Sequence, residues 1–193
     1  MQPLQEIFVD SDANLTATLL AAVQQGGTGP QRLVIAGTHQ LDSVELSDNY
    51  VAGRLSLIAA PGGATLISTV GVLLSWSGGA PPTQLVGLRL DGSLQYAASA
   101  LLELENCTFL PTKRQSRTAQ VPTPTTAINV TAGRVELRHV HLAGLSAGAL
   151  SVAGGVVVVQ DSVLSSNRAA NGAVAHVSGG AVTLPHPAPT VPH

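Results

Sequence analysis

Three stretches decide the fold: AINVTAGRVELRHVHL (127–142), ALSVAGGVVVVQDSVL (149–164) and AVAHVSGGAVTL (173–184). Set one above another, they share a glycine at Gly133, Gly155 and Gly180, spaced 22 and then 25 residues apart. A further copy, LELENCTF (102–109), matches VELRHVHL (135–142) and VVVQDSVL (157–164). A period of twenty-odd residues marks a stacked array in which each unit buries a face against its neighbours. A hairpin sandwich would show turn signals every ~8–12 residues and gives no reason for the longer period.

Side-chain parity within each copy says how a unit is shaped. Leu102 and Leu104 face one way and Glu103 and Glu105 the other, as alternate residues of a strand must. Parity then skips at Asn106, after which Cys107 and Phe109 rejoin the inward set and Thr108 stays outside. The next copy gives Val135 and Leu137, a corner at His139, then Val140 and Leu142. The one after gives Val157 and Val159, a corner at Asp161, then Ser162 and Leu164. A period of two that skips one residue at a fixed place is a strand turning a corner. Stacked units put like positions about 4.8 Å apart. Leu104/Leu137/Val159 and Phe109/Leu142/Leu164 are therefore expected to form aliphatic columns inside a three-sided parallel solenoid.

Before the repeats, the period is helical. Ser11 or Asp12 is placed to cap a helix over 13–25, with Leu15, Leu19, Ala22 and Val23 on one face and Gly26 and Gly27 as its stop. Short β-like runs follow at 32–35, 54–59, 64–68, 70–76, 84–90, 100–109, 127–142, 149–164 and 173–184. With no helical pattern between them, a βαβ sheet is excluded. The expected organisation is an N-terminal strand and capping helix (1–27), coils over 28–184 with a projecting loop at about 111–124, and a tail at 185–193. The stretch 184–193 holds four prolines and cannot extend a ladder.

Composition agrees. Of 193 residues, 45% are hydrophobic, only 10% charged and 3% aromatic, against a charged share of about 25% in ordinary globular chains. A core nearly free of aromatics suits regular layers of small branched side chains. Net charge is −2, and the densest basic group is Lys113, Arg114 and Arg117 in the loop, too little for nucleic acid. Cys107 is the sole cysteine, so no internal disulfide can form. No signal peptide is visible at the N-terminus, and the most apolar stretch, 147–159, is too short for a span. With no far-end cap either, the expectation is a section of a longer protein.

The phrase LELENCTFL (102–110) resembles the "nCtF" rung of pectin-lyase-like right-handed parallel β-helices. The stretch VLSSNRAANGAV (163–174) is similar to the F-x-x-N and G-G-A-I repeats of polymorphic outer-membrane and adhesin-like β-helix proteins, with Leu164 in place of the Phe. This likeness covers about residues 7–184. It implies a right-handed parallel β-helix whose N-terminal helix caps the first coil. The Asn-Thr-Asp, Asp-Asp, Gly-His-Gly and Arg-Ile-Lys signatures of polygalacturonate-hydrolysing relatives do not occur.

Candidate chemistry is sparse. Glu103, Glu105 and Glu136 form the best carboxylate set for glycan hydrolysis, which needs two acids facing one cleft; a solvated acidic face competes with that role. The corner column Asn106, His139 and Asp161 is either a polar binding strip or a set of side chains holding backbone groups at the turn. His139 and His141 make an H-x-H pair, but strand parity separates them and no third ligand is placed, so neither metal nor cofactor is expected. Asn14, Asn106 and Asn129 head glycosylation sequons. The large aromatics Tyr50, Trp76 and Tyr96 are the available platforms for stacking a sugar. The expected function is an extracellular or cell-surface structural or adhesive module, with carbohydrate or other surface proteins as partners and end-to-end self-association as an option. A polysaccharide-binding or polysaccharide-degrading β-helix is the alternative.

Overall fold

The computed structural model describes residues 4–25, 29–47, 53–110, 126–168 and 174–184. Gly26 and Gly27, Tyr50, the loop at about 111–124 and the tail at 185–193 lie outside the described residues. The fold is all-β with one helix. In chain order the elements are β1 (Gln5–Val9), α1 (Leu15–Gln25), β2 (Pro30–Leu41), β3 (Val44–Leu46), β4 (Arg54–Gly78), β5 (Thr83–Val86), β6 (Leu88–Ala98), β7 (Leu101–Glu105) and β8 (Thr108–Phe109). After the loop come β9 (Ile128–Val130), β10 (Arg134–Arg138), β11 (His141–Ala143), β12 (Leu150–Val152), β13 (Val156–Gln160), β14 (Val163–Ser165), β15 (Ala175–Val177) and β16 (Ala181–Thr183).

Every pairing among these strands is parallel, and the pairings sort into three ladders. The first joins β1, the openings of β2 and β4, then β5, β7, β10, β13 and β16. The second joins residues 37–41 of β2, 64–68 of β4, the opening of β6, then β8, β11 and β14. The third joins β3, the ends of β4 and β6, then β9, β12 and β15. One chain passing through all three ladders in turn produces a parallel sheet that curls on itself like a solenoid. Leu104 stacks on Leu137 and Leu137 on Val159; Phe109 stacks on Leu142 and Leu142 on Leu164. Those are the two columns expected from the repeat.

The shared glycine has a double cause. Gly133, Gly155 and Gly180 have φ of +76°, +79° and +75°, a region that costs an L-residue roughly 1–2 kcal/mol. A Cβ at Gly155 would also lie 2.4 Å from the carbonyl oxygen of Gly133, and one at Gly180 2.3 Å from that of Gly155. Each glycine therefore lets one coil settle on the next, a contact closed by Val156 N–H donating to Gly133 O at 2.8 Å.

Three of the expectations need correction. The helix begins at Leu15, not Ala13, and its cap is Asn14: the Asn14 Oδ1 accepts the Ala17 amide at 3.0 Å. Asp10 instead takes the Asp12 and Ala13 amides into a separate turn just upstream. The helix still covers the first coil through Leu15, Leu19, Ala22 and Val23, all buried. Second, β3 and the far half of β6 are strands that the apolar pattern did not mark. Third, Trp76 and Tyr96 are not surface platforms. Both lie in the core, 5.9 Å apart between ring centres and tilted by 54°. Trp76 Nε1–H donates to Thr83 Oγ1 at 3.0 Å, and the Tyr96 hydroxyl donates to Ala100 O. Burial pushes the Tyr96 phenol up to about 12.

Candidate functional site

Glu103 and Glu136 are register partners on the outer face of the first ladder, and Glu105 sits opposite Arg138. The register stacks Glu136 on Glu103, while Glu105 follows Glu103 two residues along β7. Arginines reach two of them. Arg54 meets Glu103 at 2.7 Å. Glu136 lies between two guanidinium groups, with Arg134 on Oε1 at 2.8 Å and Arg138 on Oε2 at 2.7 Å. The hydrogen bond from Arg134 leads in holding the Glu136 carboxyl below its ordinary range, and Arg138 adds to it. An acid so held stays ionised and has no proton to give a leaving group. Continued toward the N-terminus, the same outward column carries Gln84, Ser56, Arg32 and Glu6, the last two paired at 3.1 Å. Ion pairs offset Glu6, Glu103 and Glu136 along this face.

Asn106, His139 and Asp161 occupy equivalent corners, with φ of +53°, +54° and +48°. All three side chains are exposed. Main-chain bonds tie the corners together: Asn106 N–H donates to Arg138 O at 3.0 Å, and His139 N–H to Gln160 O at 3.1 Å. The side-chain bridge belongs to the next residue. The Ser162 hydroxyl accepts the Val140 amide at 3.0 Å and donates to Gln160 O at 2.7 Å, while the Cys107 thiol points at Leu85 O. Burial pushes that thiol up to about 11. His141 is exposed on β11, and no group of three His, Cys, Asp or Glu gathers at one point among the described residues.

The sequons fall in three unlike settings. Asn14 is an exposed helix cap and Asn106 an exposed corner. Asn129 lies mid-strand in β9, between Gln95 and Ser151. Asn129 also belongs to a set that the sequence did not show as one. Glu45, Ser75, Gln95, Asn129, Ser151 and His176 are successive register partners down the outer face of the third ladder. Glu45, Ser75, Gln95 and Asn129, with Ser77 and Thr131, line a shallow cavity of about 300 Å³. Ser77 Oγ donates to Glu45 Oε1 at 3.1 Å and Thr131 Oγ1 to Tyr96 O at 3.4 Å. Glu45 is the one charged residue in the lining. What the surface offers is a row of hydroxyl and amide groups at strand spacing, each able to donate and to accept.

No protein-family model, curated protein or solved structure matches this chain. Among the described residues no helix is long and apolar enough to cross a membrane.

Proposed function

We propose that this chain is a right-handed parallel β-helix of the pectin-lyase-like kind, serving as an extracellular or cell-surface structural or adhesive module rather than a complete enzyme. The observation that carries this reading is the state of the carboxylates. Glu103 and Glu136 are engaged in ion pairs with Arg54, Arg134 and Arg138, so two of the three candidate acids work as surface support. The three parallel ladders, stacked coil on coil, supply an extended scaffold, and the sequons at Asn14 and Asn106 sit on exposed residues that can carry glycans outward. Surface labelling of intact source cells, followed by glycan release from the recovered protein, tests the reading. Recovery of the protein from the cytosol alone, with all three sequons bare, would overturn it.

The cavity on the third ladder favours a second reading, a carbohydrate-binding face. Its lining suits a hydroxyl-bearing chain and lacks the arginines and lysines that an acidic glycan calls for. Against it, Trp76 and Tyr96, which border the cavity, are almost wholly buried and leave little ring surface for stacking. Binding to neutral glycans that falls when Gln95 and Asn129 are replaced by Ala would support this reading. Release of unsaturated sugars from pectin or alginate would instead establish lyase activity.

A further inference from the structure

One sequon and the cavity on the third ladder occupy the same place. Asn129 and Thr131, the first and last residues of that sequon, stand two apart on an extended chain and so share a side; both line the cavity. Asn14 and Asn106 are exposed, whereas Asn129 is half-buried, with Gln95 and Ser151 as its register neighbours. Anything joined to the Asn129 side chain therefore starts inside the cavity. The side-chain amides of Asn129 and Gln95 make no hydrogen bond to another described residue. At about 300 Å³, the cavity lies at the foot of the roughly 300–1,000 Å³ range of small-ligand sites, room for a sugar ring but not for a chain. Its wall mixes hydroxyl and amide groups with the apolar surface of Ala97, Trp76 and Tyr96. An N-acetylhexosamine, with ring hydroxyls, an amide and one methyl group, presents the same mixture.

We infer that the cavity is the seat of the first sugar of an N-linked glycan carried by Asn129. The inference rests on the surface-module reading, because the chain must meet a lipid-linked oligosaccharide. In that transfer Asn129 Nδ2 bonds to C1 of the first N-acetylhexosamine and gives up one proton. The bond from C1 to the lipid diphosphate breaks, and the diphosphate leaves. Transfer takes place on the chain before the third ladder closes; the fold then supplies the seat. Gln95 and Ser75 can each donate to and accept from the sugar, and the Glu45 carboxylate accepts from a ring hydroxyl. With no lysine or arginine in the lining, the seat suits an uncharged sugar. A sugar held there closes the cavity to a free glycan, so the site's occupant is part of this chain.

The full 193-residue chain, secreted from a eukaryotic host behind a cleavable leader, tests this. Glycopeptide mass spectrometry should find Asn129 occupied, and Asn129→Gln should remove that glycan. Release of the Asn129 glycan by a peptide N-glycosidase should be about tenfold slower from the native protein than from the denatured one, the effect of one or two net hydrogen bonds. Gln95→Ala combined with Glu45→Gln should recover most of that factor while the circular dichroism spectrum stays unchanged. A secreted, folded chain with Asn129 bare would overturn the inference. So would equal release from native and denatured protein, or a native rate that the paired substitution does not alter. Each of these results leaves the surface-module reading standing, since that reading falls on cytosolic recovery from source cells.

Discussion

Replacing Gly155 by Ala tests the coil stacking directly, and two other glycines separate its causes. Gly62 lacks a positive φ and has open space around its Cβ direction. Gly62→Ala should shift stability by no more than about 0.5 kcal/mol. Gly63 has φ +85° and the same open space, so Gly63→Ala isolates backbone strain, about 1 kcal/mol. Gly155 has φ +79° together with backbone atoms of Gly133 and Ala132 at 2.4 and 2.7 Å from the added carbon. Relief requires the coils to separate locally, which lengthens the Val156–Gly133 hydrogen bond, worth about 1 kcal/mol. Strain, lost bond and disturbed packing sum to a cost on the order of 3 kcal/mol. Urea unfolding followed by fluorescence of Trp76, the only tryptophan and fully buried, reads all three. If Gly155→Ala costs no more than Gly63→Ala, the glycines do not lie one over another and the stacking is wrong.

Asn167 is buried and bridges coils, with Oδ1 accepting the Leu145 amide at 2.9 Å and Nδ2 donating to Leu142 O at 2.8 Å. Asn167→Ala leaves two main-chain groups without partners and should cost about 2–3 kcal/mol in the same unfolding assay; a loss under half that would mean water takes its place. Glu136 has a folded-state pKa below its unfolded one, so its contribution is present above the unfolded value and fades as pH falls through the folded one. Wild type should exceed Glu136→Gln in stability at pH 7 by no more than about 1 kcal/mol, and the gap should vanish by strongly acidic pH; a gap that grows on acidification would contradict the ion pairs. Cys107 is buried with its thiol raised to about 11, so labelling by a thiol reagent at pH 8 should proceed only as fast as the chain opens, and urea should accelerate it many-fold. Rapid labelling of the native protein would show that the second ladder does not cover it.

Some of this was legible because a coil repeats its own chemistry. A glycine that must be a glycine for two reasons recurs in three of the copies, and a parity skip that must fall at a corner recurs in three. Gly133, Gly155 and Gly180, and the corners Asn106, His139 and Asp161, could be aligned without coordinates. The motif Leu164-x-x-Asn167 likewise resembled a β-helix repeat, and its asparagine proves to be a bridge between coils. Other features left no such trace. β3 has three residues, too few for any period. The helix cap was misplaced because Ser11, Asp12 and Asn14 are all good caps locally, and the choice falls to the residue whose oxygen meets the amide of Ala17.

That the chain repeats, that the repeat is a strand with a corner, and which aliphatic residues face inward can all be read along the chain. These follow from alternation and spacing within a single coil, where neighbours in space are neighbours in the chain. Which outward residues of different coils meet depends on the stacking, because each outward column takes one residue per coil and the coils differ in length. The column from Glu45 to His176 and the reach of Arg54 to Glu103 both depend on that register. Register is set by how the coils stack, through the glycine contacts and the buried columns, and not by any local preference of the residues concerned.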